Sequence, residues 1–363
     1  MNPEINDDIK KKIQKIYHTV NNNISHYISH TIYNENISHT TYNENISHTT
    51  YNENISPTTY NENISPTICN ENINHTTCNE NINHTTYETN TMDKDTVSII
   101  MTTHKRIKQT LFTLNTIQNS SYKNIQVILV DDSINCFIDD NTLKQFSFQI
   151  VYIKINSNTR DWINPCINYN IGFKFIKGSY VIIQNAEVCH VGDVIKHVKE
   201  HLTEGNYLVF NVLNTGSFKN NLILHSLYQN GKFLPALTKF QSYQFVKWYQ
   251  HQTHRCHDYH FLVAITYNDF IKMGGFDYDF AMGRSYDDDE FIFRIKTVSK
   301  LNIVHVDYDL HQTMGIHQHH SKVKLNASSK EIIRTNKLNY SILEKKKKYF
   351  SENGNWLCSY NSI

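Results

Sequence analysis

Four apolar runs of strand length, separated by helical stretches, constrain this chain more than any other feature. Val97-Ser98-Ile99-Ile100-Met101 leads into Thr102-Thr103-His104-Lys105-Arg106, Ile125 to Val130 into Asp131-Asp132-Ser133, and Tyr180-Val181-Ile182-Ile183-Gln184 into Asn185-Ala186-Glu187. Phe148 to Ile155 reads as a further strand. Between them, Ile107, Leu111, Leu114 and Ile117 share one helical face, and Pro165 to Ile176 reads as a helix stopped by Lys177-Gly178. Strand and helix in alternation imply an α/β fold, a mainly parallel sheet with helices on both faces. Such sheets bind ligands at the carboxyl ends of their strands. Thr103 and His104, Asp131 and Asp132, and Asn185 and Glu187 would converge there. Each cluster alone could be a cap, a turn or a loop acid. A sheet brings its strand ends to one edge, which favours a shared site.

The run Asp287-Asp288-Asp289-Glu290-Phe291, with Arg294 after it and Gly274-Gly275-Phe276-Asp277 before it, is the densest charge in this region. Adjacent carboxylates repel. They persist when they face water, bind a cation, or hold one proton-accepting oxygen at a reaction centre. The run is expected just ahead of a helix.

The rest of the chain is read from composition. With 363 residues and a net charge of +1, it is long enough for one or two domains, and no strong field points to nucleic acid or an anionic membrane. The seven cysteines are scattered without a CxxC, which suits a reducing compartment. The start, Met1 to Asp8, is polar and acidic, unlike a secretory signal, and no apolar run is long enough to span a bilayer. A cytoplasmic location is therefore expected. Hydrophobic content of 39% suggests that part of the chain does not fold. That part would be a nine-residue unit recurring from about Asn23 to Tyr87, as in Asn34-Glu35-Asn36-Ile37-Ser38-His39-Thr40-Thr41-Tyr42. One aliphatic and one aromatic or Cys per unit cannot offset chain entropy, so disorder is expected; a small solenoid is the alternative. The domain reading is an N-terminal segment with a short amphipathic helix (1–22), repeats (23–92), an α/β domain (93–328) and a helical tail (329–363) whose Lys345-Lys346-Lys347-Lys348 would be solvated. Heavy use of Asn, Ile, Lys and Tyr fits an AT-rich genome, as in large DNA viruses and protists.

Over residues 95 to 310 the chain resembles family 2 glycosyltransferases. The resemblance is carried, in order, by Val97 to Arg106, Val130-Asp131-Asp132-Ser133, Asn164-Pro165 with Asn170-Ile171-Gly172 and Gly178-Ser179-Tyr180, Gly274-Gly275-Phe276-Asp277, and Asp287 to Phe291 with Arg294. The family implies a GT-A fold and hexosyltransferase-like transfer from a nucleotide-diphosphate sugar, a UDP-sugar foremost, to a glycan, protein or lipid hydroxyl, usually with inversion. By the same resemblance Asp288 is the general base, with Asp287 and Asp289 placed to orient it or bind acceptor hydroxyls, and Thr103, His104, Arg106, Asp131 and Asp132 line the nucleotide pocket, to which Asn185 would offer an oxygen for a ribose hydroxyl. A divalent ion, Mn²⁺ or Mg²⁺, offsets charge on the leaving diphosphate.

One departure stands out. Where the family carries Asp-x-Asp, this chain has Asn185-Ala186-Glu187. Glu187 can ligate a hard cation, while Asn185 offers only a neutral oxygen. His317 and His319, taken as one face of an extended segment, are candidate further ligands. Trp248, in a stretch rich in aromatics and His, is a candidate acceptor platform. The alternative reading is an inactive binding or scaffold protein on the same fold.

Overall fold

The computed structural model describes residues 7–22, 28–33, 47–51, 93–133, 136–155, 161–231, 233–321 and 329–357. Apart from 28–33 and 47–51, the repeat segment lies outside the described residues, and so does the choice between disorder and solenoid for it.

The elements run α1 (Asp7–Asn22), β1 (Ile28–Tyr33), β2 (Ser47–Tyr51), β3 (Asp93–Thr103), α2 (Ile107–Gln118), β4 (Ile125–Asp131), α3 (Asp140–Leu143), β5 (Gln149–Ile155), α4 (Cys166–Phe173), β6 (Gly178–Asn185), β7 (Val188–Val191) and α5 (Val194–His201). They continue as β8 (Asn206–Phe210), β9 (Val212–Asn214), α6 (Phe218–Gln229), α7 (Phe233–Gln241), β10 (Lys247–Gln250), β11 (Leu262–Thr266), α8 (Tyr267–Met273), α9 (Asp287–Phe293), β12 (Asn302–Val306), α10 (Tyr308–His311), β13 (Met314–His317) and α11 (Ser329–Asn353). A nine-stranded sheet has the order β12-β8-β11-β6-β3-β4-β5-β1-β2, and a four-stranded sheet the order β10-β9-β13-β7. The expected α/β architecture is the one observed. The parallel block β6-β3-β4-β5 puts Thr103 opposite Asp131 and Thr102 opposite Asn185, so three strand ends share one edge.

The β3 and β4 strands read as near-continuous aliphatic runs because both faces of the sheet are covered. One face carries α1, α4, α8 and α11 on Ile100, Ile128, Val130 and Ile183; the other carries α2 and α5 on Ile99, Val127, Leu129 and Ile182. Helix α4 crosses close to the sheet at Gly172, where a Cβ would come within 3.0 Å of the Ile100 and Val130 side chains. A satellite cluster under α6 and α7 includes Leu213, Leu224, Leu237, Phe240 and Ile316.

Helix α1 has a definite place. Ile9, Ile13, Ile16 and Val20, spaced along one face, are buried in the main core, and Tyr17 meets Tyr278 edge-on at 5.5 Å. Strand β1 pairs antiparallel with β5, and β2 parallel with β1, matching Ser29 with Ser47 and Tyr33 with Tyr51, equivalent positions of the repeat.

Two expectations are corrected here. The acidic run forms the first turn of α9 rather than preceding it, where carboxylates suit the positive end of the helix dipole. Within the lysine run, Lys346 is not solvated: its side chain is 4% exposed and ion-pairs with Asp277 and Asp279.

Candidate active site

The site begins at the end of β3. Lys105 has left-handed backbone (φ 54) and donates its N–H to Ser133 Oγ at 2.6 Å, which ties the β3 and β4 ends together. The Oγ1 of Thr103 lies 3.0 Å from Thr110 Oγ1, so the buried Thr103 hydroxyl braces α2. Nδ1 of His104 lies 2.7 Å from Asp132 Oδ1, and Asn168 Nδ2 donates to Asp132 Oδ2 at 2.9 Å. Asp131 faces the other way, as neighbouring strand residues do. It accepts from the Tyr152 hydroxyl at 2.6 Å and the Ser133 N–H at 2.8 Å, and burial raises its pKa. Asp131 is therefore held against Tyr152, and Asp132 against His104 and Asn168.

At the end of β6, Asn185 Oδ1 accepts from the Tyr169 hydroxyl at 3.2 Å. Glu187 is 1% exposed. Its Oε1 lies 2.5 Å from Arg106 Nη1, 3.2 Å from His317 Nε2 and 3.3 Å from His320 Nε2. Burial pushes the Glu187 carboxyl up, but the Arg106 guanidinium, with His317 and His320, outweighs that and holds it well below the usual carboxylate range. The ligand atoms of Glu187, His317 and His320 all lie within 4.8 Å of one another. Glu187 Oε2 and His317 Nδ1 are buried without a hydrogen-bond partner. One carboxylate and two imidazoles so gathered fit a divalent cation such as Mn²⁺.

His319 is not part of this group. Strand β13 ends at His317, so strand alternation does not carry on to His319. The His319 ring meets Phe218 edge-on at 4.6 Å, and its carbonyl accepts from Gln109 and Asn221. A cavity of about 550 Å³ adjoins the cluster, lined by His104, Lys105, Arg106, Lys108, Phe218 and His320 among others. Its cationic wall suits a diphosphate.

The acidic helix α9 carries a second group of charged side chains. Tyr286 precedes it in left-handed backbone (φ 76). Asp287 is buried and accepts from Asn164 Nδ2 at 2.8 Å. Burial first, and then the Asp288 charge, push its pKa up to about 7. Oδ1 of Asp288 lies 2.5 Å from Nδ1 of His260. Asp289 Oδ1 accepts from the Tyr259 hydroxyl at 2.6 Å. Glu290 faces inward, bound by Arg294 through both oxygens, and Arg294 also donates to the carbonyls of Met273 and Gly275. Tyr169 and Tyr249 link the two groups. Burial raises both hydroxyls, and the charges of Glu187 and Asp288 add to it. Trp248 is half-buried on β10 against His251 and His254.

Residues 98–265 match the family described as glycosyl transferase family 2. The match takes in just under half of the chain, and over that segment the chain is similar to this family. The match ends before the acidic helix, so Asp287, Asp288 and the His317–His320 segment lie beyond it. The chain is also similar to two solved structures. A mannosyltransferase from Pyrobaculum calidifontis in complex with GDP-Man and Mn²⁺ is 14% identical, with a TM-score of 0.38, over 62% of this chain and 57% of that one. S. aureus TarS 1-349 in complex with UDP-GlcNAc is 12% identical, with a TM-score of 0.43, over 68% and 66%. The chain thus spans less than two thirds of either structure. No curated protein matches it. Among the described residues, no helix is long and apolar enough to cross a membrane.

The contacts that Asn164, Tyr169, Tyr259 and His260 make in the site are not marked in the sequence. Asn164 and Tyr169 lie in the stretch that resembles the family, but nothing in their spacing marks them. His260 and Tyr259 are distant in sequence from the acids they touch. His320 was visible in His317-Gln318-His319-His320, but only the end of β13 decides between it and His319.

Proposed function

We propose that this chain transfers a sugar from a nucleotide-diphosphate donor to an acceptor hydroxyl with inversion, as a hexosyltransferase. The observation that carries the proposal is the Glu187, His317 and His320 cluster beside a cationic cavity, at the strand ends of the segment similar to family 2. Lys105, Arg106 and Lys108 would take the donor diphosphate. His104, held against Asp132, would line the nucleoside end, with a uridine donor the first to test. Glu187, His317 and His320 would hold Mn²⁺ in preference to Mg²⁺, because Mn²⁺ binds imidazole acceptably beside a carboxylate, whereas Mg²⁺ favours all-oxygen ligands. Such an ion, when bound, offsets negative charge on the leaving diphosphate. Arg106, already paired with Glu187, adds a fixed cation at the same place.

Asp288 is assigned the general base. Its carboxylate takes the proton of the acceptor hydroxyl while that oxygen bonds to the anomeric carbon. The bond from that carbon to the diphosphate breaks on the opposite face, and the nucleoside diphosphate leaves with the electron pair. Asp289, bound to Tyr259, would orient acceptor hydroxyls; a glycan, protein or lipid acceptor all fit. The test is nucleotide release from UDP-, GDP- and dTDP-sugars with Mn²⁺, Mg²⁺ or EDTA, for wild type, Asp288→Asn and Glu187→Ala. Release that depends on metal and is lost in both variants is expected. Donor binding without turnover, indifferent to Asp288→Asn, would instead indicate a binding protein.

A further inference from the structure

Buried polar side chains near a reaction centre need partners, and two atoms here have only each other. His260 Nδ1 and Asp288 Oδ1 are 2.5 Å apart, off the line of a good hydrogen bond, and neither meets another hydrogen-bond partner. His260 lies at the end of the loop before β11 and is 8% exposed. Its ring is wedged edge-on between Tyr169 at 5.0 Å and Phe276 at 4.8 Å, which leaves little freedom to turn. The Asp288 side chain is 28% exposed although its Oδ1 is sealed, so its exposed surface lies elsewhere on the carboxylate.

We infer that His260 is the positioning residue of Asp288: its imidazolium holds Oδ1 in place and leaves the other oxygen to meet the acceptor. This rests on the reading of Asp288 as base. The charge arrangement suits such a partner, with Asp287 itself pushed up to a pKa of about 7. Asp287 and Asp288 are adjacent in sequence, and two close carboxylates in a partly buried site do not both ionise unless a cation offsets one of them. Burial alone would lower the His260 pKa, but Asp288, with help from Asp287, outweighs it and raises it. The groups facing the imidazole are Asp287 and Asp288 from α9, and Tyr169 from α4. None of them supplies a competing cation.

The experiment has two arms on the full chain. In the first, the imidazole titration of His260 is followed by NMR in wild type and Asp288→Asn, with no donor present. A fall in the His260 pKa of about one unit or more in the variant is expected, and an unchanged titration overturns the proposal. In the second, pH profiles of nucleotide release are compared for wild type, His260→Gln and His260→Phe. Gln can still donate to Oδ1 but does not titrate; Phe does neither. About a hundredfold loss of kcat is expected for Phe, within the usual range for acid–base catalysis, with donor KM little changed and partial rescue by Gln. The acid limb of the profile should shift upward in the Phe variant, because Asp288 then loses its cation. Wild-type kcat and an unshifted limb in His260→Phe would overturn the proposal while leaving the base reading intact. Full activity of Asp288→Asn would remove the base reading itself.

Discussion

Lys346 and Asp277, 69 residues apart in sequence, form an ion pair with side chains 4% and 0% exposed. The same ammonium lies 2.8 Å from Asp279 Oδ2. The last helix is thereby fastened to the turn that precedes the acidic helix, and the two aspartates raise the Lys346 pKa against its burial. Replacing Lys346 with Met leaves two carboxylates without their cation. A loss of about 3–5 kcal/mol is expected in urea unfolding. Lys348→Met, at a 76% exposed position, should stay within about 0.5 kcal/mol of wild type. Equal effects of the two would mean that the pair contributes nothing.

This pair also shows what the sequence reveals and what it hides. Thr335, Leu338, Asn339, Ile342, Leu343 and Lys346 are all buried and follow one helical face, so the period was readable. Four consecutive lysines mask it, since a charge run reads as solvated until a buried partner is known. The parallel strands were legible because each is a long aliphatic run with a polar end. The antiparallel partners β8 and β11 were not, because short strands inserted by long connections carry no signal of where they pair. At the site, the strand-end residues follow from topology alone. The His260 contact with Asp288 does not, as it depends on how a loop enters β11.

Asp287 should make stability depend on pH in a defined direction. Burial, and then the Asp288 charge, push its pKa up to about 7 in the fold from an ordinary value of 3.8. Between those values the folded protein holds a proton that the unfolded chain has released, so this contribution to stability falls as pH rises. It is fully present below the lower value and is lost above the upper one. Asp287→Asn cannot ionise, so its thermal stability should match wild type near pH 4 and exceed it near pH 8. Each kcal/mol corresponds to about 2–4 °C in a chain of this size. Parallel melting curves for the two proteins across this range would show that the carboxyl titrates normally.

The histidine segment separates neighbours by function. Glu187→Ala and His320→Ala should each weaken Mn²⁺ binding by tenfold or more, where about 1.4 kcal/mol is a factor of ten. His319→Ala should leave it unchanged, since that ring packs on Phe218 rather than facing Glu187. Calorimetry with Mn²⁺ alone, without any donor, reads this directly. Weakening by His319→Ala but not by His320→Ala would place the ligands differently from the cluster described above.

Arg294 carries the last coupling. Its guanidinium meets Glu290 at 2.5 and 2.8 Å, the Met273 carbonyl at 2.7 Å and the Gly275 carbonyl at 2.6 Å, all buried. A planar fork can satisfy these acceptors together, and an ammonium cannot, because its three donors radiate from one nitrogen. Arg294→Lys keeps the charge but gives up this geometry, so the glycine turn and the acidic helix lose their common tie. A destabilisation of about 2–4 kcal/mol is expected, in line with a broken buried network. Because α9 also presents Asp287 and Asp288, nucleotide release should fall even at temperatures where the variant remains folded. A variant that is destabilised but turns over at the wild-type rate would show that Arg294 supports the fold without setting the position of Asp288.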